Sequence, residues 1–172
     1  MTLPYRRKKE GKTNYNRRRK LVGSRELRLV IRKSNKNINL QIVRYEEDGD
    51  KIMANAHTRE LLKRGWKGAR KNLPAAYLTG LLLAIKAKKQ GVKKAILDVG
   101  MHTPTPGGLI YAAVKGVIDG GIEVPHSEEV LPKKERIEGK HIMLNTKTKY
   151  TTTNKDKIAE QFNKTKNKIL KE

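Results

Sequence analysis

Between Arg6 and Lys20 the chain carries nine Lys and Arg side chains: the clusters Arg6, Arg7, Lys8, Lys9 and Arg17, Arg18, Arg19, Lys20, with Lys12 between them. Tyr5, Thr13, Asn14, Tyr15 and Asn16 are interleaved with the charges. A guanidinium pairs with phosphate through a planar fork and stacks on bases, tyrosine rings offer further stacking surface, and Thr and Asn add neutral hydrogen bonds. That mixture suits an arm that orders on RNA. A solvated tail or a nuclear-localisation-like cluster accounts for the charge alone and gives the interleaved residues no role. The polar turn Lys33, Ser34, Asn35, Lys36, next to Arg32 on a basic strand face, is a second place from which a phosphate ridge can be reached. Candidate RNA-binding residues are therefore Arg6, Arg7, Lys8, Lys9, Lys12, Thr13, Tyr15, Arg17, Arg18, Arg19, Lys20, Arg32, Lys33, Ser34, Asn35 and Lys36.

Other chemistry is thin. His57, His102, His126 and His141 make no short metal-ligand spacing, there is no Cys, and no metal or cofactor is expected. Ser24, Ser34 and Ser127 lie in no nucleophile-elbow context. Asp98 ends an apolar run and precedes the loop Gly100 to Gly108, a usual place for ligands in α/β proteins. The loop lacks both a dinucleotide fingerprint and a phosphate-binding Gly-Lys-Ser/Thr run, and reads as a proline-stiffened connection or an RNA phosphate contact. A metal-dependent nuclease built on Asp98 would need further carboxylates. The meander instead places Arg28, Arg32 and Lys33 nearby, which repel a metal and attract a phosphate. Trp66, between Gly65 and Gly68, reads as cover for a core edge, with base stacking as the alternative.

The 172 residues hold 40 Lys and Arg against 17 Asp and Glu, a net charge of +23, and nucleic acid is the densest counter-charge available. The charge is uneven. Residues 1–33 carry a net +11, residues 95–131 a net −4, and residues 145–172 a net +5. The absence of Cys argues against a disulfide-stapled secreted scaffold. Without an apolar run of about 18 residues or a signal-peptide pattern, a soluble, cytoplasmic protein is expected.

The elements that must position these residues follow from periodicity. Met1 to Lys20 has none and is expected to be disordered without a partner. Alternation over Arg25 to Ser34 and over Ile38 to Val43 predicts a hairpin, and Lys51 to Ala56 completes an antiparallel meander. Thr58 to Lys63 reads as a short helix. A helix opens at Pro74 and runs to Gln90, apolar nearly all round, with Ala76, Gly80 and Ala84 leaving a groove for close backbone approach; it is expected against a sheet. Ala95 to Val99 reads as a buried parallel strand, Gly107 to Asp119 as a helix, Ile122 to Val124 as a last strand, and Pro132 to Ile142 as a weakly periodic helix. Ile158, Phe162, Thr165 and Ile169 form one stripe of a basic C-terminal helix, with Asn154 as a possible cap. The expected fold is α/β in three layers: a mixed sheet of a three-strand antiparallel meander plus two parallel strands, a basic N-terminal arm and a C-terminal helix. Residues 1–24 form the arm, 25–144 the core domain, and 145–172 a Lys-rich linker and helix.

Several strings together resemble one family. They are Arg-Arg-Lys-Lys-Glu-Gly-Lys-Thr-Asn-Tyr from Arg6, Ser-Asn-Lys from Ser34, Ala-Tyr-Leu-Thr-Gly-Leu-Leu-Leu-Ala from Ala76, Asp98 with Gly100, Thr-Pro-Gly from Thr105, and Lys-Gly-Val-Ile-Asp-Gly-Gly-Ile-Glu-Val-Pro-His-Ser from Lys115. In this order they are similar to the archaeal and eukaryotic large-subunit ribosomal proteins that bind 5S rRNA, L-eighteen in the universal naming. The resemblance implies a ribonuclease-H-like topology without active carboxylates, no enzymatic activity, and an arm that clasps 5S rRNA. It also implies anchoring to large-subunit rRNA in the central protuberance, beside other 5S-associated proteins such as the L-five family. Asn14 stands where many relatives carry an acidic residue, and the tail after Lys147 matches poorly.

Overall fold

The computed structural model describes residues 3–143 and 157–171. Two helices occupy the arm, α1 (Arg6–Lys9) and α2 (Tyr15–Gly23). Three strands follow, β1 (Arg28–Lys33), β2 (Ile38–Glu46) and β3 (Gly49–His57), then α3 (Glu60–Lys63), α4 (Leu73–Lys88), β4 (Ile96–Asp98) and α5 (Leu109–Asp119). The described C-terminal part holds α6 (Lys134–Ile137), α7 (Lys140–Met143) and α8 (Ile158–Leu170). No helix among the described residues is long and apolar enough to cross a membrane.

The strands form one mixed sheet in the order β3-β2-β1-β4, antiparallel within the meander and parallel between β1 and β4. Strand alternation puts Leu29, Ile31, Leu40, Ile42, Ala54 and Ala56 in the core, while Arg28 and Arg32 share the opposite face of β1. Ile42 pairs with Ala54 but Val43 pairs with Ile52, so Met53 is the extra residue of a bulge that shifts the register toward the hairpin end.

The expected fifth strand does not form. Glu123 makes one parallel bridge to Lys94, donating to the Lys93 carbonyl (2.9 Å) and accepting from the Ala95 amide (2.9 Å). The next bond of a parallel ladder would be donated by residue 125, which is Pro125 and has no N–H.

Asn72 starts α4, its Oδ1 accepting from the Ala75 amide at 2.9 Å. The helix is buried nearly all round, packing on β2 and β3 with one side and on α5 with another. The helix lies against the sheet as expected, and its small-residue groove receives α5. A Cβ on Gly80 would overlap the Ala113 carbonyl oxygen, one on Gly116 would overlap that of Tyr77, and one on Gly120 would overlap Ala84 Cβ. The expected helix over Pro132 to Ile142 is two short ones, broken at Gly139, whose φ of +85° suits glycine. The stripe Ile158, Phe162, Thr165 and Ile169 is buried, with the Phe162 ring 5.5 Å from that of Tyr77. Asn154 and the linker lie outside the described residues.

Two opposed backbone contacts leave no room for a side chain at the α4–α5 crossing. Gly116→Ala is expected to cost about 1–3 kcal/mol of stability through overpacking. Gly23→Ala, with nothing within 4 Å of the added Cβ, is expected to stay within about 0.5 kcal/mol; urea denaturation of both variants checks the contrast.

Candidate nucleic-acid interface

The arm is helical rather than disordered, a correction to the reading from periodicity, because short-range polar contacts replace the missing apolar stripe. Asn14 caps α2, Oδ1 accepting from the Arg17 amide at 3.0 Å, a bond a carboxylate at this position could also make. Arg7 Nε donates to Thr13 Oγ1 (2.9 Å), and the rings of Tyr5 and Tyr15 lie 5.0 Å apart. Glu10 bridges Arg6 (2.8 Å) and Lys12 (2.8 Å), and these hydrogen bonds, Arg6 first, hold its carboxyl below the ordinary carboxylate range. Thr13 and Tyr15 thus stiffen the arm from within.

The seat of the arm is a chain of alternating charges on the polar side of β1. Arg28, 1% exposed, donates through Nη1 to Asp98 Oδ2 at 3.2 Å and pairs through Nη2 with Asp50. Arg18 of α2 grips Asp50 with both Nη atoms, at 3.0 and 3.1 Å. On the other side Arg32 donates to Asp98 Oδ1 (3.2 Å) and to the Asp98 carbonyl (2.9 Å), and the Gly100 amide donates to Oδ1 (2.8 Å). Gly100 has a φ of +59°, which favours glycine, and a Cβ there would come within 2.8 Å of Arg32 Cζ and displace the guanidinium. Burial by itself would raise the Asp50 pKa; the hydrogen bonds from Arg28 and Arg18 outweigh it and hold the carboxyl below its ordinary value.

Arm and seat enclose a cleft of about 380 Å³ lined by Arg7, Lys12, Arg17, Arg18 and Arg32, with Thr13, Asn14, Tyr15 and Leu21. Asp98 and Gly100 complete its wall. Both Asp98 oxygens are taken up by cations and an amide, and no His/Cys/Asp/Glu cluster suited to a metal occurs among the described residues. Five cations, two of them engaged by Asp50 and Asp98, line the cleft with hydroxyl and amide groups at hand, a set whose chemistry suits a phosphate–ribose backbone.

Residues 1–93 and 85–127 match a family model described as the ribosomal large subunit proteins 60S L5 and 50S L18. The chain belongs to this family. Its members are structural proteins of the large ribosomal subunit that bind rRNA, not enzymes. In this ribosomal protein Asp98 therefore serves as the counter-ion of Arg28 and Arg32. The match ends before α6, so the C-terminal helices lie beyond it.

The expected RNA-binding residues divide into groups. Arg7, Lys12, Thr13, Tyr15, Arg17, Arg18 and Arg32 meet in the cleft, whereas Arg6, Lys8, Lys9, Arg19 and Lys20 are exposed outside it. Arg32 is spent largely on Asp98. Ser34 closes its turn, Oγ donating to the Asn37 carbonyl (3.0 Å) and accepting from the Asn37 amide (3.1 Å). Lys33, Asn35 and Lys36 stand exposed at the tip. The Lys33 amide donates to His102 Nε2 at 3.3 Å, which pins the Gly100 to Gly108 loop to the end of β1.

A further basic surface of this ribosomal protein escaped the reading of its sequence. Arg59, Lys63, Arg64, Lys67, Arg70 and Lys71 lie around α3 and in the loop before α4, a density overlooked beside Trp66. Trp66 is buried, Nε1 donating to the Ala69 carbonyl at 3.2 Å, so it props this loop from inside and offers no face for a base. Thr58 fastens the start of the segment to the turn through bonds of 3.1 Å to the Ile38 amide and carbonyl. Burial first, then Lys33, Arg32 and Lys71, pushes the His102 pKa down; burial, then Arg59, does the same at His57. Cations of the loop and of the turn thus share one end of the sheet.

Because Asp50 titrates below its unfolded value of about 3.9, its ion pairs contribute at neutral pH and are lost as pH falls through the lower, folded value. Removing Asp98 leaves Arg28 with one counter-ion in a buried setting, so Asp98→Ala is expected to cost about 3 kcal/mol in urea denaturation at pH 7.

Proposed function

We propose that this ribosomal protein clasps 5S rRNA in the cleft between its arm and sheet, and anchors it to large-subunit rRNA in the central protuberance. The cleft carries the reading: α2 is docked so that Arg7, Lys12, Arg17 and Arg18 converge on one concavity beside Thr13 and Tyr15. A convergent, concave set of forks can follow a folded RNA backbone, whereas a uniformly charged convex surface would bind any polyanion. The exposed turn Lys33 to Lys36 and the cations from Arg59 to Lys71 lie at one end of the sheet and offer a second RNA a place, as a bridge requires.

In this reading residues 1–24 are the RNA-binding arm and residues 25–144 the rigid body that fixes its register. Residues 145–172 would make the third part, of which the described portion is α8. A meander followed by parallel β4, in the order β3-β2-β1-β4, supports a ribonuclease-H-like winding in three layers. The protein would work on the cytoplasmic ribosome, beside other 5S-associated proteins of the L-five type.

If arm and turn neutralise about 6–10 phosphates, affinity for 5S rRNA falls by about 10³–10⁵ between about 50 and 200 mM salt; a nearly flat titration would sink the proposal. Deleting residues 1–13 removes α1 and Lys12 but keeps Arg18 on Asp50, so the body stays folded and tight binding is lost. Native affinity in that truncation would place the RNA elsewhere. Duplex DNA competing as well as 5S rRNA would identify a general polyanion binder instead.

A further inference from the structure

α2 rests on the sheet with little apolar help. None of its residues is buried, and Leu21 and Val22 are half-exposed. Its polar ties to the body are the Arg17 bond to the Gly100 carbonyl, a long 3.4 Å, and the two-pronged grip of Arg18 on Asp50. Asp50 stands in β3, opposite Tyr45 in the ladder, and its other partner is the buried Arg28. One carboxylate therefore joins Arg18, on the arm, to a buried cation of the body.

We propose that Asp50 is a positioning residue for RNA binding, a negative charge that strengthens the grip on a polyanion by latching α2 in its bound place. The inference rests on the reading that the cleft takes 5S rRNA. An arm that must be ordered at the moment of binding loses affinity in proportion to the fraction of molecules in which it is already in place. The latch raises that fraction. Long-range electrostatics acts in the opposite sense, because neutralising Asp50 raises the net charge from +23 to +24 and by itself favours RNA. The two effects differ in sign, so a single substitution separates them.

Asp48 is the matched control. It lies two residues earlier in the exposed β2–β3 turn and makes no ion pair among the described residues, so Asp48→Asn adds the same charge without touching the latch. In the full-length chain, at one fixed salt concentration, Asp50→Asn is expected to bind 5S rRNA about tenfold more weakly than Asp48→Asn, with Asp50→Glu recovering most of the loss. In the RNA-free protein, trypsin should cut within Arg17 to Lys20 several times faster in Asp50→Asn than in Asp48→Asn. Arg18→Gln opens the same latch while leaving Arg28 paired with Asp50 and Asp98, and should be cut as fast at the remaining sites, Arg17, Arg19 and Lys20. It carries the cleavage comparison if Asp50→Asn does not fold.

Equal or tighter binding by Asp50→Asn relative to Asp48→Asn, or equal cleavage rates, overturns the proposal. Failure of the parent chain to bind 5S rRNA would instead overturn the functional reading, and the cleavage comparison would still decide whether Asp50 latches the arm.

Discussion

Arg28 sits with its guanidinium 1% exposed between two carboxylates, Asp98 on the neighbouring strand β4 and Asp50 two strands away on β3. A cation at that depth without counter-charge would cost several kcal/mol, so both acids are held where they are. Each in turn holds something else. Asp98 fixes Arg32 and the Gly100 amide, and with them the direction in which the chain leaves β4. Asp50 fixes Arg18, and with it α2. The row Arg32–Asp98–Arg28–Asp50–Arg18 ties arm, sheet and loop into one arrangement, and the cleft is the space that arrangement leaves.

The opposite face of the sheet supplies the stiffness against which this row works. Leu29 and Ile31 alternate with Arg28 and Arg32 along β1, so one strand builds the core and the polar seat together. Behind the core, Gly80, Gly116 and Gly120 let α4 and α5 approach to backbone contact, and α4 is buried almost completely. Closely packed helices of this kind give little under load. The body can then hold the arm at a constant angle.

Acidic residues near the arm act as spacers. Glu10 lies between Arg6 and Lys12, Asp50 between Arg18 and Arg28, and Asp98 between Arg28 and Arg32. Like charges packed this densely would otherwise repel one another into an extended arm. Interposed carboxylates let the cations converge while leaving the arm strongly positive. A net charge of +23 is thus compatible with a defined, concave site.

Local pattern alone determined much of this protein. The alternation of Leu27 to Ile31 and of Ile38 to Ile42, the apolar run of α4 and the stripe Ile158, Phe162, Thr165, Ile169 each fix an element, because strand and helix periods depend only on neighbours in the chain. The basic arm was legible as well, since its charge is a matter of composition. Long-range placement was not legible. Arg18 and Asp50 are 32 residues apart and Arg28 and Asp98 are 70 apart, so no periodicity announces their pairing or the docked α2 that follows from it. Nor could local pattern tell that Trp66 is buried, that Gly80 faces a helix, or that Pro125 falls where the ladder next needs a donor. Local preference chose the elements; the need to neutralise a buried cation and to satisfy a ladder decided how they meet.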